Sequence, residues 1–440
     1  MHFFPLKAQE PTAPTNLTLQ ECAKTALERN LDLKQLLVNE EIQSRNLIQS
    51  KYEFLPSLSA FWNYSINWGT TINTVTFTRS TSQTNFSSPR ISANVPVFTG
   101  LGLRYAVKEN EQNLLASHER TLRRKNDILN QVVASFMQIV FDKNNIKVQQ
   151  NRILVLEKQK ERIQKLFNAG ATTPAELANI NSQLATEQLN LINNQNQLER
   201  DKLTLLQLLQ MPLGPTYVFV EPDVSKVNLQ QINIPDLQSV LNYALENMPQ
   251  MKEQRHTIGA AEWRMKRAKA ALYPTVSAFG TLSSQYSSQV NRFLTPENRT
   301  GYLAQVDDNF QQTIGLQVQI PIFTAFRNRN NYQVAQLNKQ VAQIGYEAEQ
   351  NRLTQEIQQA WLSVKLARTR LDAVEEQIKA LKLSFEVAEK QYNAGTLNFY
   401  AYNEILNNLT RAEFDKIQAQ YELIFRMKIL DVYQGIEVQF

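Results

Sequence analysis

An internal duplication limits what this chain can fold into more than any other feature. Leu19-Gln20, followed by Ala26-Leu27-Glu28 and Asn30, returns as Leu237-Gln238, followed by Ala244-Leu245-Glu246 and Asn247. Leu55-Pro56-Ser57 with Ala60-Phe61 returns at the same offset as Tyr273-Pro274-Thr275 with Ala278-Phe279. Val95-Pro96-Val97-Phe98-Thr99 returns as Ile320-Pro321-Ile322-Phe323-Thr324, and Phe167-Asn168-Ala169-Gly170 as Tyr392-Asn393-Ala394-Gly395. Matches in one unbroken order mean that the halves are copies of a single unit, with a loop insertion behind the small change of offset. The copies are expected over 17–210 and 236–433. They are joined by 211–235, where Pro212, Pro215, Pro222 and Pro235 interrupt any long element and 217–220 fits a short strand. Residues 1–16 read as a signal remnant or disordered tail, and 434–440 as a C-terminal tail.

Within each copy the periodicity changes. The segment 17–54 has a helical pattern that stops before Pro56. From there the period is two: Leu58, Ala60, Trp62, Tyr64, Ile66 and Trp68 alternate with Ser57, Ser59, Asn63, Ser65 and Asn67. Strict alternation predicts strands over 57–68, 88–98, 275–286 and 313–323. The Ser-, Thr-, Asn- and Gln-rich stretches 69–87 and 287–312 read as exposed loops, too polar to bury. Long helices follow over 100–168 and 324–392; the first would reach roughly 100 Å at about 1.5 Å per residue. Leu177, Leu184, Leu191, Leu198 and Leu205 mark a coiled-coil seam in a helix over 174–210. Tyr402, Ile405, Leu409, Ala412, Ala419, Leu423 and Leu430 do the same over 397–433.

Composition narrows the function. The chain has 440 residues, of which 42% are hydrophobic, and no apolar run is long enough for a membrane-crossing helix. Alternating strands hide their hydrophobicity from such a search, so a β-barrel stays open. The charge of +5 is the small difference between 46 basic and 41 acidic residues spread along the chain, which reads as solvated surface and argues against nucleic acid. One cysteine, Cys22, leaves no intrachain disulfide and no multi-cysteine metal site; it sits in a helical pattern with Leu19, Ala23 and Ala26 and reads as a small core side chain. His2, His118 and His256 are isolated on polar segments and read as surface residues. No phosphate-binding glycine loop and no catalytic grouping occurs, so neither enzyme, cofactor nor metal is expected.

Strands of about 9–11 residues cross a bilayer when tilted. Their apolar faces carry Trp62, Tyr64, Trp68 and Tyr286, residue types enriched at the membrane interface. Four strands cannot close a barrel, and hydrocarbon tolerates no unpaired strand edge. The expectation is therefore an α+β membrane protein and an obligate homo-oligomer, with three protomers supplying twelve strands around a wet lumen. An elongated periplasmic coiled-coil scaffold without a pore is the alternative.

With these motifs in order and duplicated, the chain resembles the TolC family of outer-membrane efflux and export channels. The resemblance runs from Leu17 to about Tyr433 and is carried by residues 17–23, 55–58, 95–100 and the two Asn-Ala-Gly turns. It implies a homotrimer with a twelve-stranded barrel in outer-membrane lipid and a periplasmic helical tunnel closed at its tip. It also implies docking, at the turns Asn168-Ala169-Gly170 and Asn393-Ala394-Gly395, to a periplasmic adaptor (membrane fusion) protein, which links to an inner-membrane transporter of RND or ABC type. In the family an acidic residue six positions after the first glycine pairs with the tyrosine before the second; here these are Glu176 and Tyr392. The family's clamping arginine falls at Leu397, its first constricting aspartate at Ala401 and its second at Glu404. Only Glu404 keeps a charge, and a three-fold ring of it would favour cations at the aperture. The implied function is the exit duct of a tripartite efflux or type I secretion system, passing small molecules or proteins.

Overall fold

The computed structural model describes residues 15–72, 77, 79–212, 217–221, 233–289 and 300–436. Both copies run from paired short helices through strands into a long helical hairpin. The first comprises β1 (Thr15–Leu17), α1 (Leu19–Arg29), α2 (Leu31–Tyr52), β2 (Ser57–Ile72), β3 (Arg79–Phe98), α3 (Gly102–Asn168) and α4 (Pro174–Leu208). After β4 (Tyr217–Phe219) come α5 (Leu237–Asn247), α6 (Pro249–Ala270), β5 (Thr275–Ser283), β6 (Tyr286–Ser287), α7 (Tyr302–Asp308), β7 (Gln311–Gln319), α8 (Arg327–Asn393) and α9 (Phe399–Tyr433).

Several boundaries differ from the sequence expectation. The helix expected over 17–54 is two helices separated at Asn30, whose Oδ1 accepts from the Leu33 N–H at 3.0 Å and restarts the chain. Its counterpart breaks at Met248, before Pro249. Thr18 opens α1 with a capping box: its Oγ1 accepts from the Glu21 N–H at 3.2 Å, while Glu21 accepts from the Thr18 N–H at 2.8 Å. The tail expected over 1–16 lies outside the described residues except for Thr15 and Asn16, which belong to β1. Gln434 caps α9, and Ile436 donates back to the Asp431 carbonyl at 3.0 Å; of the tail expected over 434–440, the remainder lies outside the described residues.

The chain forms two compact units. One consists of 1–39, 118–253 and 347–440. Its largest core gathers Leu17, Cys22, Ala26, Leu33, Phe136, Ile139, Leu205, Phe219 and Ile424. β1 pairs in parallel with β4, which brings Phe219 edge-on to Phe136 at 6.2 Å between ring centres. Each such side chain taken from water contributes about 1.5–3 kcal/mol. Cys22 is fully buried there, and burial pushes its thiol up to about 12. The coiled-coil leucines behave as their spacing predicts: Leu184, Leu198 and Leu205 are buried, and Leu177 and Leu191 pack alongside.

The other unit consists of 40–117 and 254–346. It holds a mixed-length antiparallel sheet of order β2-β3-β5-β7, with β6 also pairing β3. β2 and β3 continue well into the stretch expected to be loop, to Ile72 and from Arg79. β7 ends at Gln319, so Ile320 and Ile322 alternate without belonging to a strand; Pro321 has no N–H to extend the ladder. The stretch expected to be too polar to bury contains α7 and buried polar groups. Gln305 is 3% exposed and accepts from the Ser287 N–H at 3.1 Å, and the Ser87 and Tyr302 hydroxyls meet at 3.0 Å. His256, expected at the surface, is partly buried with Nδ1 2.8 Å from the Gln112 amide oxygen.

Candidate functional site

Strand register decides which side chains share a face. Leu58 stands opposite Ala93, Ala60 opposite Ile91, Ala93 opposite Gly280, Val95 opposite Ala278, and Ala278 opposite Leu316. Apolar positions of all four strands therefore lie on one side of the sheet. The other side carries Ser59 opposite Ser92, Arg90 opposite Ser283 and Ser277 opposite Gln317. Ser59 and Ser92 hydrogen-bond across it at 2.9 Å. On the apolar side, Leu58, Trp68, Ile314 and Leu316 are 70% or more exposed in the protomer. In water that face would be strongly unfavourable; against hydrocarbon it is not.

The expected interface aromatics share this side. Trp62 and Tyr64 are exposed in part although the Trp62 indole N–H donates to Ser87 at 2.9 Å, and Trp68 is exposed. Tyr286 instead packs on Tyr302, ring centres 5.0 Å apart. Within the protomer β2 and β7 each have a single neighbour among the described residues, so the sheet ends in two open edges.

The second region is the pair of helical turns. Both follow one hydrogen-bond pattern. At the first, Ala171 donates to the Leu166 carbonyl at 2.8 Å and Gly170 to that of Phe167 at 3.0 Å; at the second, Thr396 donates to Gln391 at 3.0 Å and Gly395 to Tyr392 at 3.1 Å. These are Schellman turns, and the two glycines take φ of +70° and +75° as such turns require. Thr173 then caps α4 and Asn398 caps α9 through the Ala401 N–H at 2.8 Å.

Around the second turn, side chains from both hairpins meet. The Tyr392 ring stacks on the buried Tyr402 at 4.6 Å, and Tyr402 leans on Phe385 at 5.7 Å. The Arg162 guanidinium sits 4.5 Å from the Tyr392 ring centre and reaches the Asn393 side-chain oxygen at 3.4 Å. Burial raises the Tyr392 hydroxyl above its ordinary pKa; Arg162 opposes this, and the nearby Glu176 carboxylate adds to it. Glu176 also accepts from the Thr172 hydroxyl. Leu397 packs against the same cluster as Tyr392 and Tyr402. Ala401 serves the cap of α9, while Glu404 is exposed.

So Glu176, Tyr392 and Leu397 are brought together, and Ala401 and Glu404 are not part of that cluster. Arg162 was missed from sequence. A comparison of the copies offers one signal for it: eight residues before Gly170 stands Arg162, and eight before Gly395 stands Val387.

Comparison with known proteins bears on the family and the fold. The sequence profile of the family described as outer membrane efflux protein matches residues 22–210 and 240–426. The outer membrane efflux protein BepC of Brucella suis is 22% identical over 409 residues, covering 92% of this chain and 83% of BepC. Among solved structures, CusC superposes with a TM-score of 0.81 at 16% identity, covering 98% of this chain and 96% of CusC. The Campylobacter jejuni outer membrane channel CmeC superposes with a TM-score of 0.79 at 19% identity, covering 95% and 85%.

Proposed function

Because the chain belongs to the outer membrane efflux protein family, and is thus an efflux channel of the outer membrane, we propose that it is the passive exit duct of a tripartite efflux or type I secretion system. The observation that carries this reading is the sheet with the strand order β2-β3-β5-β7, which has one apolar face, one polar face and, among the described residues, two open edges. Unpaired backbone groups facing hydrocarbon cost several kcal/mol each, so the β2 edge of one protomer joins the β7 edge of the next. Three copies close a twelve-stranded barrel with the Ser-, Gln- and Asn-bearing face inward. The helical hairpins continue this conduit into the periplasm. Energy comes from an inner-membrane transporter of RND or ABC type, reached through a periplasmic adaptor that docks at Asn168-Ala169-Gly170 and Asn393-Ala394-Gly395.

The turn cluster and the adjoining start of α9 serve as the gate. Glu176 acts on Tyr392 from the first hairpin, Leu397 closes the apolar side, Ala401 leaves room in the first turn of α9, and a ring of exposed Glu404 gives the aperture its negative potential. Reconstitution into planar bilayers tests the whole reading. A detergent-resistant trimer with single-channel conductance is expected, and a detergent-free soluble monomer would favour a scaffold instead. In the same bilayers the double variant Glu176→Ala/Tyr392→Phe should raise conductance, and Glu404→Gln should weaken cation preference. Unchanged values would remove these residues from the gate.

A further inference from the structure

We propose that a groove at the helix-side ends of β3 and β5 binds the headgroup of an anionic phospholipid, a proposal that rests on reading the sheet as the membrane-spanning part of the channel. The groove has a volume of about 430 Å³ and is walled by Phe98, Leu101, Tyr105 and Tyr273, with Lys266 and Lys269 beside them.

Its apolar wall comes from a break in the alternation of β3. Arg90 to Pro96 pair with β5 in one register, which sets Val95 with Ala278 on the apolar face and Pro96 with Ser277 on the polar face. The register then shifts, and Phe98 stands opposite Val276. Without that bulge Phe98 would share the polar face with Pro96; with it, Phe98 joins Val276 and Ala278 on the lipid side. Gly100 and Leu101 next take φ of +60° and +69° and turn the chain into α3. A Cβ on Gly100 would lie 2.7 Å from the Ala270 carbonyl oxygen, so the start of α3 is pressed against the end of α6 and the groove is a built feature of that junction.

The last turns of α6 supply the charge. Lys266 and Lys269, three residues apart, share one helix face. The Lys266 ammonium lies 4.0 Å from the Trp263 ring centre and 2.9 Å from Glu262, and Tyr105 stacks on the same indole at 5.9 Å. Lys269 is exposed and forms no ion pair among the described residues. Aromatic walls with lysines at their rim match the chemistry of the headgroup level, where aliphatic stems lie in hydrocarbon and ammonium groups reach phosphate. A free anion would use the lysines alone and leave the aromatic wall wet. β3 and β5 are the inner strands of the sheet, so the groove stays clear of the β2 and β7 edges where neighbouring copies join.

The test uses intact channel trimers in nanodiscs of equal parts dioleoyl phosphatidylglycerol and dioleoyl phosphatidylcholine, released into native mass spectrometry. Two surface lysines should give a preference for phosphatidylglycerol on the order of tenfold among retained lipids. Lys266→Gln/Lys269→Gln should abolish that preference and leave the single-channel conductance as in the wild type. The control pair Lys24→Gln/Lys34→Gln should keep it. Equal retention of both lipids by the wild type, or an unchanged preference in the groove variant, overturns the proposal. So does displacement of the lipid by millimolar inorganic phosphate, which would mark a plain anion site. A protein that conducts without lipid preference refutes the groove alone, whereas one that does not conduct refutes the channel reading beneath it.

Discussion

The hairpin of α3 and α4 and the hairpin of α8 and α9 match in length residue for residue. Gly102 and Arg327, Asn168 and Asn393, Pro174 and Phe399, and Leu208 and Tyr433 each stand 225 apart. Their turns share a hydrogen-bond pattern, yet their interiors differ. In the first hairpin the Arg152 guanidinium meets the Glu187 carboxylate at 2.6 Å and also donates to Asn407 of α9 at 2.8 Å, with Glu187 5% exposed. The equivalent positions of the second are Gln377 and Ala412, and Ala412 packs with Val374 and Ile378. Asp142 is likewise buried in the first, where the second has the buried Ala367. Backbone length and turn chemistry are thus common to both copies, while the Arg152–Glu187 pair and the buried Asp142 belong to the first alone. A buried ion pair contributes little net stability but is expensive to break. Arg152 and Glu187 therefore fix which helices meet, and at what level, more than they add stability.

The comparison can be broken most sharply at that pair. Glu187→Ala leaves the partly buried Arg152 without its carboxylate and should destabilise the solubilised protein by about 3 kcal/mol in denaturant unfolding. Arg152→Gln/Glu187→Ala, which gives the first hairpin the residues of the second, should recover more than half of that loss. A double variant as unstable as the single one would mean that the pair contributes more than registry.

A smaller effect tests what the hairpins share. A Cβ added at Gly170 or at Gly395 meets nothing within 4 Å, so the penalty of Gly→Ala is backbone strain alone. Each variant should lose about 1 kcal/mol, and the two losses should agree within about 0.5 kcal/mol. Unequal losses would show that one turn is held by contacts its twin lacks.

These turns were also the most legible part of the sequence, because a Schellman turn needs only local residues, Asn-Ala-Gly ahead of a capping Thr173 or Asn398. Strand starts were legible for the same reason, after Pro56 and Pro274. The loop-side limits of β2, β3 and β5 were not, although β3 ends at Phe98 as expected. The Ser- and Thr-rich continuations of β2 and β3 have little strand signal of their own and are held by pairing, as between Thr70 and Thr81, whose hydroxyls meet at 2.7 Å. Ile320 and Ile322 show the converse, a strand pattern with no partner strand to use it. The site divided likewise. Glu176 and Tyr392 were named by the family resemblance, counted from the turn glycines, whereas Arg162 showed only as a difference between the copies, since its aromatic partner lies in the other copy and only tertiary packing joins them.

The smallest effect concerns protons in the first hairpin. Burial, reinforced by the facing Asp201 carboxyl of α4, pushes Asp142 up to about 7. Gln138 donates to Asp142 at 3.0 Å and Gln197 to Asp201 at 2.9 Å, which leaves one proton to hold the two carboxyls together. Lys143, beside Asp142 in sequence, donates to the Phe219 carbonyl, and Lys202, beside Asp201, pairs with Glu199. An unfolded aspartate loses its proton near pH 4. Between pH 4 and 7 the folded chain binds the extra proton, so stability is greatest below that window, falls as pH rises through it, and levels off above. Asp142→Asn keeps a donor without titrating and should flatten this slope. Its gain over the wild type should be about 1 kcal/mol at pH 8, after allowance for solvent screening, and near zero at pH 4. The second hairpin, with Ala367 in this place, has no matching proton to lose, so a slope that survives in Asp142→Asn would place the titrating group outside the difference between the copies.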